Sequence, residues 1–154
     1  MALFSLLKTL HVLFAIAAVG ANITFRLMLA RAARQPDTLM FTLKTIRFLD
    51  GRLANPAYGL LLISGLAMVF TVPFPLTTPW ILSAVIIYAL VALFGSVVFA
   101  PVFHRQIQLA ESEGTQGKSY QETARLGQFL GIAITLIAVV IIILMVIKPA
   151  LWGA

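Results

Sequence analysis

The chain has 154 residues, of which 61% are hydrophobic and 10% charged, and its net charge is +6. A soluble domain carries roughly a quarter charged residues, so this composition excludes a water-soluble globular fold. Cysteine is absent, which excludes disulfides, thiolate metal sites and cysteine nucleophiles.

Four stretches are apolar enough to cross a bilayer, which takes about 20 residues of helix. They run from about Leu3 to Leu29, Pro56 to Val72, Trp80 to Phe103 and Phe129 to Ile147, the last spanning 127–148 with its flanks. The expectation is an all-α fold in which residues 1–154 form a single integral membrane domain, a four-transmembrane-helix bundle.

In the first span, Ala15-Ile16-Ala17 resembles a signal-peptide cleavage site, but the apolar run continues well past the usual core of about 7–15 residues. A retained anchor is expected. Ala17, Gly20, Ala21 and Thr24 are small enough to let another helix approach closely, and they predict a packing face. His11 is the ionisable group set deepest in the run, and such a group inside a membrane usually has a partner or a task.

Between Asp37 and Leu53, Leu39, Leu43, Ile46, Leu49 and Leu53 recur at three- and four-residue spacing. This predicts an amphipathic surface helix over about 37–53. Its apolar side would face the acyl boundary, with Lys44, Arg47 and Arg52 toward anionic headgroups. Closing the bundle is the plainer role for the same helix.

Asn55-Pro56 and Thr78-Pro79 each place a capping side chain before a proline, predicting the starts of the second and third spans. Gly59, Ser64, Gly65 and Ala67 give the second span its own small-residue face. Val72-Pro73-Phe74-Pro75 should end it, leaving a short uncharged connection to Pro79. Pro101 should kink the third span. Ser119-Tyr120-Gln121-Glu122 matches a capping box, so the fourth helix should start in the loop and enter the membrane near Gly127.

Basic residues orient the chain. Arg26, Arg31, Arg34, Lys44, Arg47 and Arg52 flank or occupy the first loop, and Arg105, Lys118 and Arg125 the second. Only Lys8 and Lys148 lie on the other side. The positive-inside rule places both loops in the cytoplasm and both termini outside. The pI of about 10.4 comes from these span-end residues, a footprint that speaks for lipid and against nucleic acid.

Catalytic signatures are sparse. All five acidic residues fall in the loops, so the spans lack the carboxylate that proton-coupled carriers usually need. Serine-hydrolase, zinc-hydrolase and P-loop patterns are missing. His11 could ligate haem iron or move a proton. His104 cannot join it on one iron. At 1.5 Å per residue, His11 lies about 12 Å from the outer surface and His104 about 36 Å, whereas trans ligands stand about 4 Å apart. His11 would bind alone, or meet its counterpart at equal depth in a symmetric dimer. His104, beside Arg105, reads as a headgroup contact.

The run Leu10-His11-Val12-Leu13, the step Gly20-Ala21-Asn22, the exit Ala30-Arg31-Ala32-Ala33-Arg34-Gln35-Pro36-Asp37, and then Asn55-Pro56 and Ser64-Gly65-Leu66 resemble a bacterial family. It is the group of predicted integral membrane proteins called domain of unknown function 2269. The resemblance covers essentially the whole chain; it implies a four-helix membrane bundle and assigns no activity. More distantly, a histidine-then-glycine first helix is similar to four-helix haem proteins of the copper-resistance D-like and protoporphyrinogen-oxidase-like families. Only His11 carries over from those; where they often place a tryptophan before the glycine, this chain has Ala17-Ala18-Val19.

Three functions follow as expectations. The leading one is a non-enzymatic membrane subunit that packs against itself or a larger complex. The second is a haem b- or quinone-linked redox protein using His11. The third, a small-solute or ion carrier, is disfavoured by the missing carboxylate.

Overall fold

The computed structural model describes residues 2–71 and 75–149. Its helices are α1 (Ala2–Ala32), α2 (Pro36–Leu49), α3 (Asn55–Thr71), α4 (Pro79–Phe94), α5 (Ala100–Ser112) and α6 (Lys118–Ile147). Wider π turns at Asp50–Ala54 and Gly95–Phe99 join α2 to α3 and α4 to α5. No strand occurs among the described residues. The fold is all-α, and four of its continuous helices, of 31, 36, 34 and 30 residues, are long and apolar enough to cross a membrane.

At 1.5 Å per residue these helices measure about 45–54 Å, against a hydrocarbon core of about 30 Å. The surplus of the second and third falls at one end. There α2 and α5 extend the apolar runs of α3 and α4, and they pack together beside the end of α1 and the start of α6. The molecule is thus an apolar bundle with a helical cap at its charged-loop end.

Prolines explain the π turns. Proline lacks the N–H of a helical bond and its ring collides with the carbonyl four residues back. Each π turn ends two residues before a proline, Pro56 or Pro101, and so loosens the ladder at the carbonyl four residues back. The expected helix start at Asn55-Pro56 is therefore corrected, because the helix runs through it. Asn55 Nδ2 instead donates to Asp50 Oδ2 at 3.1 Å, across the π turn.

The other start signals hold in place more than in mechanism. α4 begins at Pro79, but the Thr78 hydroxyl donates back to the Pro75 carbonyl at 2.7 Å rather than capping the helix. α6 begins at Lys118 after Gly117, so Ser119 lies inside the first turn and makes no cap bond. Of the expected stop at Val72-Pro73-Phe74-Pro75, residues 72–74 lie outside the described residues.

Packing divides the bundle into two pairs. α1 lies chiefly on α3 and α4 on α6, and the pairs meet where α1 touches α6 and α2 touches α5. The buried residues of α1 are Ala18, Phe25 and Ala32, seven apart, which is the spacing of a helix seam that keeps facing one partner. In the cap, Leu39, Leu43 and Ile46 of α2 pack with Phe25, Ala32, Phe103, Ile107, Ala110 and Tyr120. Leu43 is fully enclosed. The expectation that this stripe faces lipid is corrected: Leu39, Leu43 and Ile46 are buried against neighbouring helices, as the bundle-closing role requires, because close side-chain packing gains contacts that fluid acyl chains do not match. Leu53 ends up exposed, and Phe41 and Phe48 point outward.

Candidate functional site

His11 sits seven residues before Ala18, on the α1 seam that faces α3. Its Nδ1 lies 3.0 Å from the Leu61 carbonyl and 3.1 Å from Ser64 Oγ. A carbonyl can only accept, so Nδ1 carries the proton and Nε2 the lone pair in the neutral ring. Ser64 is buried, and its hydroxyl reaches the Leu60 carbonyl at 2.7 Å and that of Leu61 at 3.0 Å. Gly65 makes room for the ring. Among the described residues, Nε2 makes no hydrogen bond.

A second polar contact crosses the same helices further along. Asn22 Nδ2 donates to the Tyr58 hydroxyl at 2.5 Å, and the Tyr88 hydroxyl donates to the Tyr58 carbonyl at 2.9 Å. Together they tie α1 to α3 and α3 to α4. Asn22 was visible in the sequence only as part of a motif; its partner is 36 residues away, which no local pattern reveals.

The small residues of α1 separate by face. Ala21 packs against the core cluster, while Gly20 and Thr24 are exposed and Ala17 is half-buried. A Cβ added at Gly20 or Gly59 would meet nothing within 4 Å, so neither glycine makes a close approach within the protomer. Among the headgroup candidates, Lys44 Nζ stands 2.8 Å from Glu111 Oε1, and Arg52 lies 5.9 Å from the Phe48 ring centre. Arg47 is exposed. His104 is exposed on α5, in the cap, at the opposite end of the bundle from His11.

Arg26 is the residue that sequence reasoning undervalued. Counted there as a helix-end charge, it is half-buried and turned inward toward α6. Its Nη1 donates to the Gln128 carbonyl at 3.2 Å, and the guanidinium lies 5.7 Å from the Phe99 ring centre. The guanidinium also fills the space over Gly131, where any Cβ would overlap it. Among the described residues no carboxylate pairs with it. One signal was available, since Arg26 stands three residues inside the expected end of the first span.

A cleft of about 720 Å3 opens beside Arg26 between α1, α5 and α6. A smaller groove of about 210 Å3 adjoins it between α1 and α6. Among the described residues, no three His, Cys, Asp or Glu side chains converge as a metal site would need.

No curated protein and no solved structure matches the chain. A family model described as "Predicted integral membrane protein (DUF2269)" matches residues 5–149, a span that contains His11, Asn22, Arg26 and Ser64-Gly65. With four helices able to cross a bilayer and a match over nearly its whole length, the chain belongs to this family of predicted integral membrane proteins.

Proposed function

We propose that the protein is a non-enzymatic membrane subunit that associates with a second copy, or with a larger complex, through the outer face of α1. One observation carries this reading. Ala17, Gly20 and Thr24 share a face at three- and four-residue spacing, and the space over Gly20 is open. In lipid, helices gain little from the hydrophobic effect, and small residues earn close contact for van der Waals packing instead. A step that shallow, left unused within one chain, suits another helix. The charge distribution supports an inner-membrane orientation with both loops cytoplasmic and both termini outside.

The test is particle mass after extraction in mild detergent, by light scattering. The expected particle is a dimer or larger, and Gly20→Ile shifts it toward monomer. A strictly monomeric wild-type particle with no co-purifying subunit overturns the reading.

A second reading has its own support. Metal-ligating histidines usually donate one ring nitrogen to a carbonyl and present the other, and His11 is held this way by Leu61. His11 lines neither of the two cavities beside Arg26, so a haem b on His11 would lie apart from them. A Soret band in purified protein that disappears in His11→Ala supports this; folded protein without the band removes it.

A further inference from the structure

The two cavities meet at Arg26. The larger, about 720 Å3, falls within the roughly 300–1,000 Å3 of small-molecule sites. Arg26, Arg34 and Arg125 line it, and none of its lining residues is acidic. Its buried floor is polar as well, because Gln106 Nε2 donates to the Tyr120 hydroxyl at 3.3 Å. The smaller groove leads away from the charged-loop end, and Ile23, Leu27, Ile132 and Leu136 make it apolar. Its one hydroxyl, on Thr135, is turned back onto the Gly131 carbonyl at 2.9 Å.

Arg26, Leu27 and Ile132 line both spaces, so a basic chamber passes directly into an apolar slot with a guanidinium at the junction. A charge this far inside a span needs a counter-charge or a path to water. Among the described residues, Arg26 is met by a backbone carbonyl and an aromatic face and by no carboxylate. Arginine presents a planar fork of donors that matches a phosphate.

We propose that this junction binds one anionic phospholipid from the leaflet on the charged-loop side. Its phosphate pairs with Arg26 and Arg125, and one acyl chain lies in the slot between Ile23, Leu27, Ile132 and Leu136. The apolar slot is what selects a lipid over a free phosphate. Ile23 and Leu27 lie at i+3 and i+7 from Gly20, so the slot borders the α1 face used for association.

Native mass spectrometry of delipidated protein, titrated with phosphatidylglycerol, phosphatidylcholine or inorganic phosphate, tests this. The expected result is one phosphatidylglycerol per chain, about tenfold tighter than phosphatidylcholine and not displaced by equimolar inorganic phosphate. Arg26→Gln with Arg125→Gln weakens it by at least about tenfold. Leu136→Trp fills the slot from an exposed position and leaves the arginines in place. It should lower lipid retention with an unchanged Tm, which keeps the test decisive if the arginine variants fold poorly. Equal retention of the two lipids, or wild-type binding by these variants, overturns the proposal. Displacement by inorganic phosphate reassigns the cleft to a soluble anion, and a dimer that excludes lipid makes a second copy the occupant; either also overturns it.

Discussion

The imidazole of His11 occupies the space that a side chain at Gly65 would take, since a Cβ there would stand 2.9 Å from Cε1 and 3.3 Å from Nδ1. Beside it, Leu61 and Ser64 hold Nδ1. The ring, the glycine and the serine form one lock between α1 and α3. Such locks matter in lipid because packing and interhelical hydrogen bonds there replace the hydrophobic drive of water.

Gly65→Ala should disturb this lock. The ring has to shift to clear a Cβ at 2.9 Å, and that shift lengthens its bonds to Leu61 and Ser64. Overpacking of this kind costs about 1–3 kcal/mol. The expected outcome is a clear fall in Tm in detergent, and an unchanged Tm would mean that the ring moves freely.

A double-mutant cycle between His11→Ala and Ser64→Ala measures the polar part alone. Interhelical hydrogen bonds in membranes couple by about 0.6 kcal/mol on average, with a ceiling near 1.7. A coupling energy in that range is expected. Strict additivity would assign the histidine to Leu61 and not to Ser64.

In the cap the relevant energy is that of a packed apolar core. Leu43→Ala removes a fully enclosed side chain and should cost about 2–5 kcal/mol in chemical denaturation. Its neighbour in sequence should behave differently. Lys44 and Glu111 are paired at 2.8 Å, with side chains 58% and 49% exposed, so Lys44→Ala should cost under about 1 kcal/mol. That small effect should fade in 1 M salt, where the Debye length is about 3 Å.

Topology can be read with single cysteines, because the chain has none of its own. Gln35→Cys, in the turn between α1 and α2, should resist a membrane-impermeant maleimide in intact cells and react after permeabilisation. Leu76→Cys, in the uncharged connection, should react in intact cells. The reverse pattern refutes the cytoplasmic placement of the loops.

Much of the architecture was legible because the bilayer is a strict solvent. Runs such as Trp80–Phe103 have few alternatives to a spanning helix once each backbone group must be satisfied internally. Proline was harder to interpret from sequence. Asn55-Pro56 and Thr78-Pro79 look alike locally, yet only the second starts a helix. The difference lies in what precedes them, since the cap core formed by Leu39, Leu43 and Ile46 holds the helix continuous into Asn55.

The sequence by itself determined the solvent, the number of long apolar helices and the end at which charge collects, because hydropathy and charge act over whole segments. It also marked His11, Asn22 and Ser64-Gly65 without relating them. Only the tertiary structure decided which residues meet. His11 lies on Gly65, Asn22 reaches Tyr58, and Arg26 turns inward over Gly131. Each contact joins helices separated by a span or more of chain, and it depends on helix register and rotation, which composition and periodicity leave free. For Arg26 that rotation turns a helix-end charge into the junction of a basic cleft and an apolar slot.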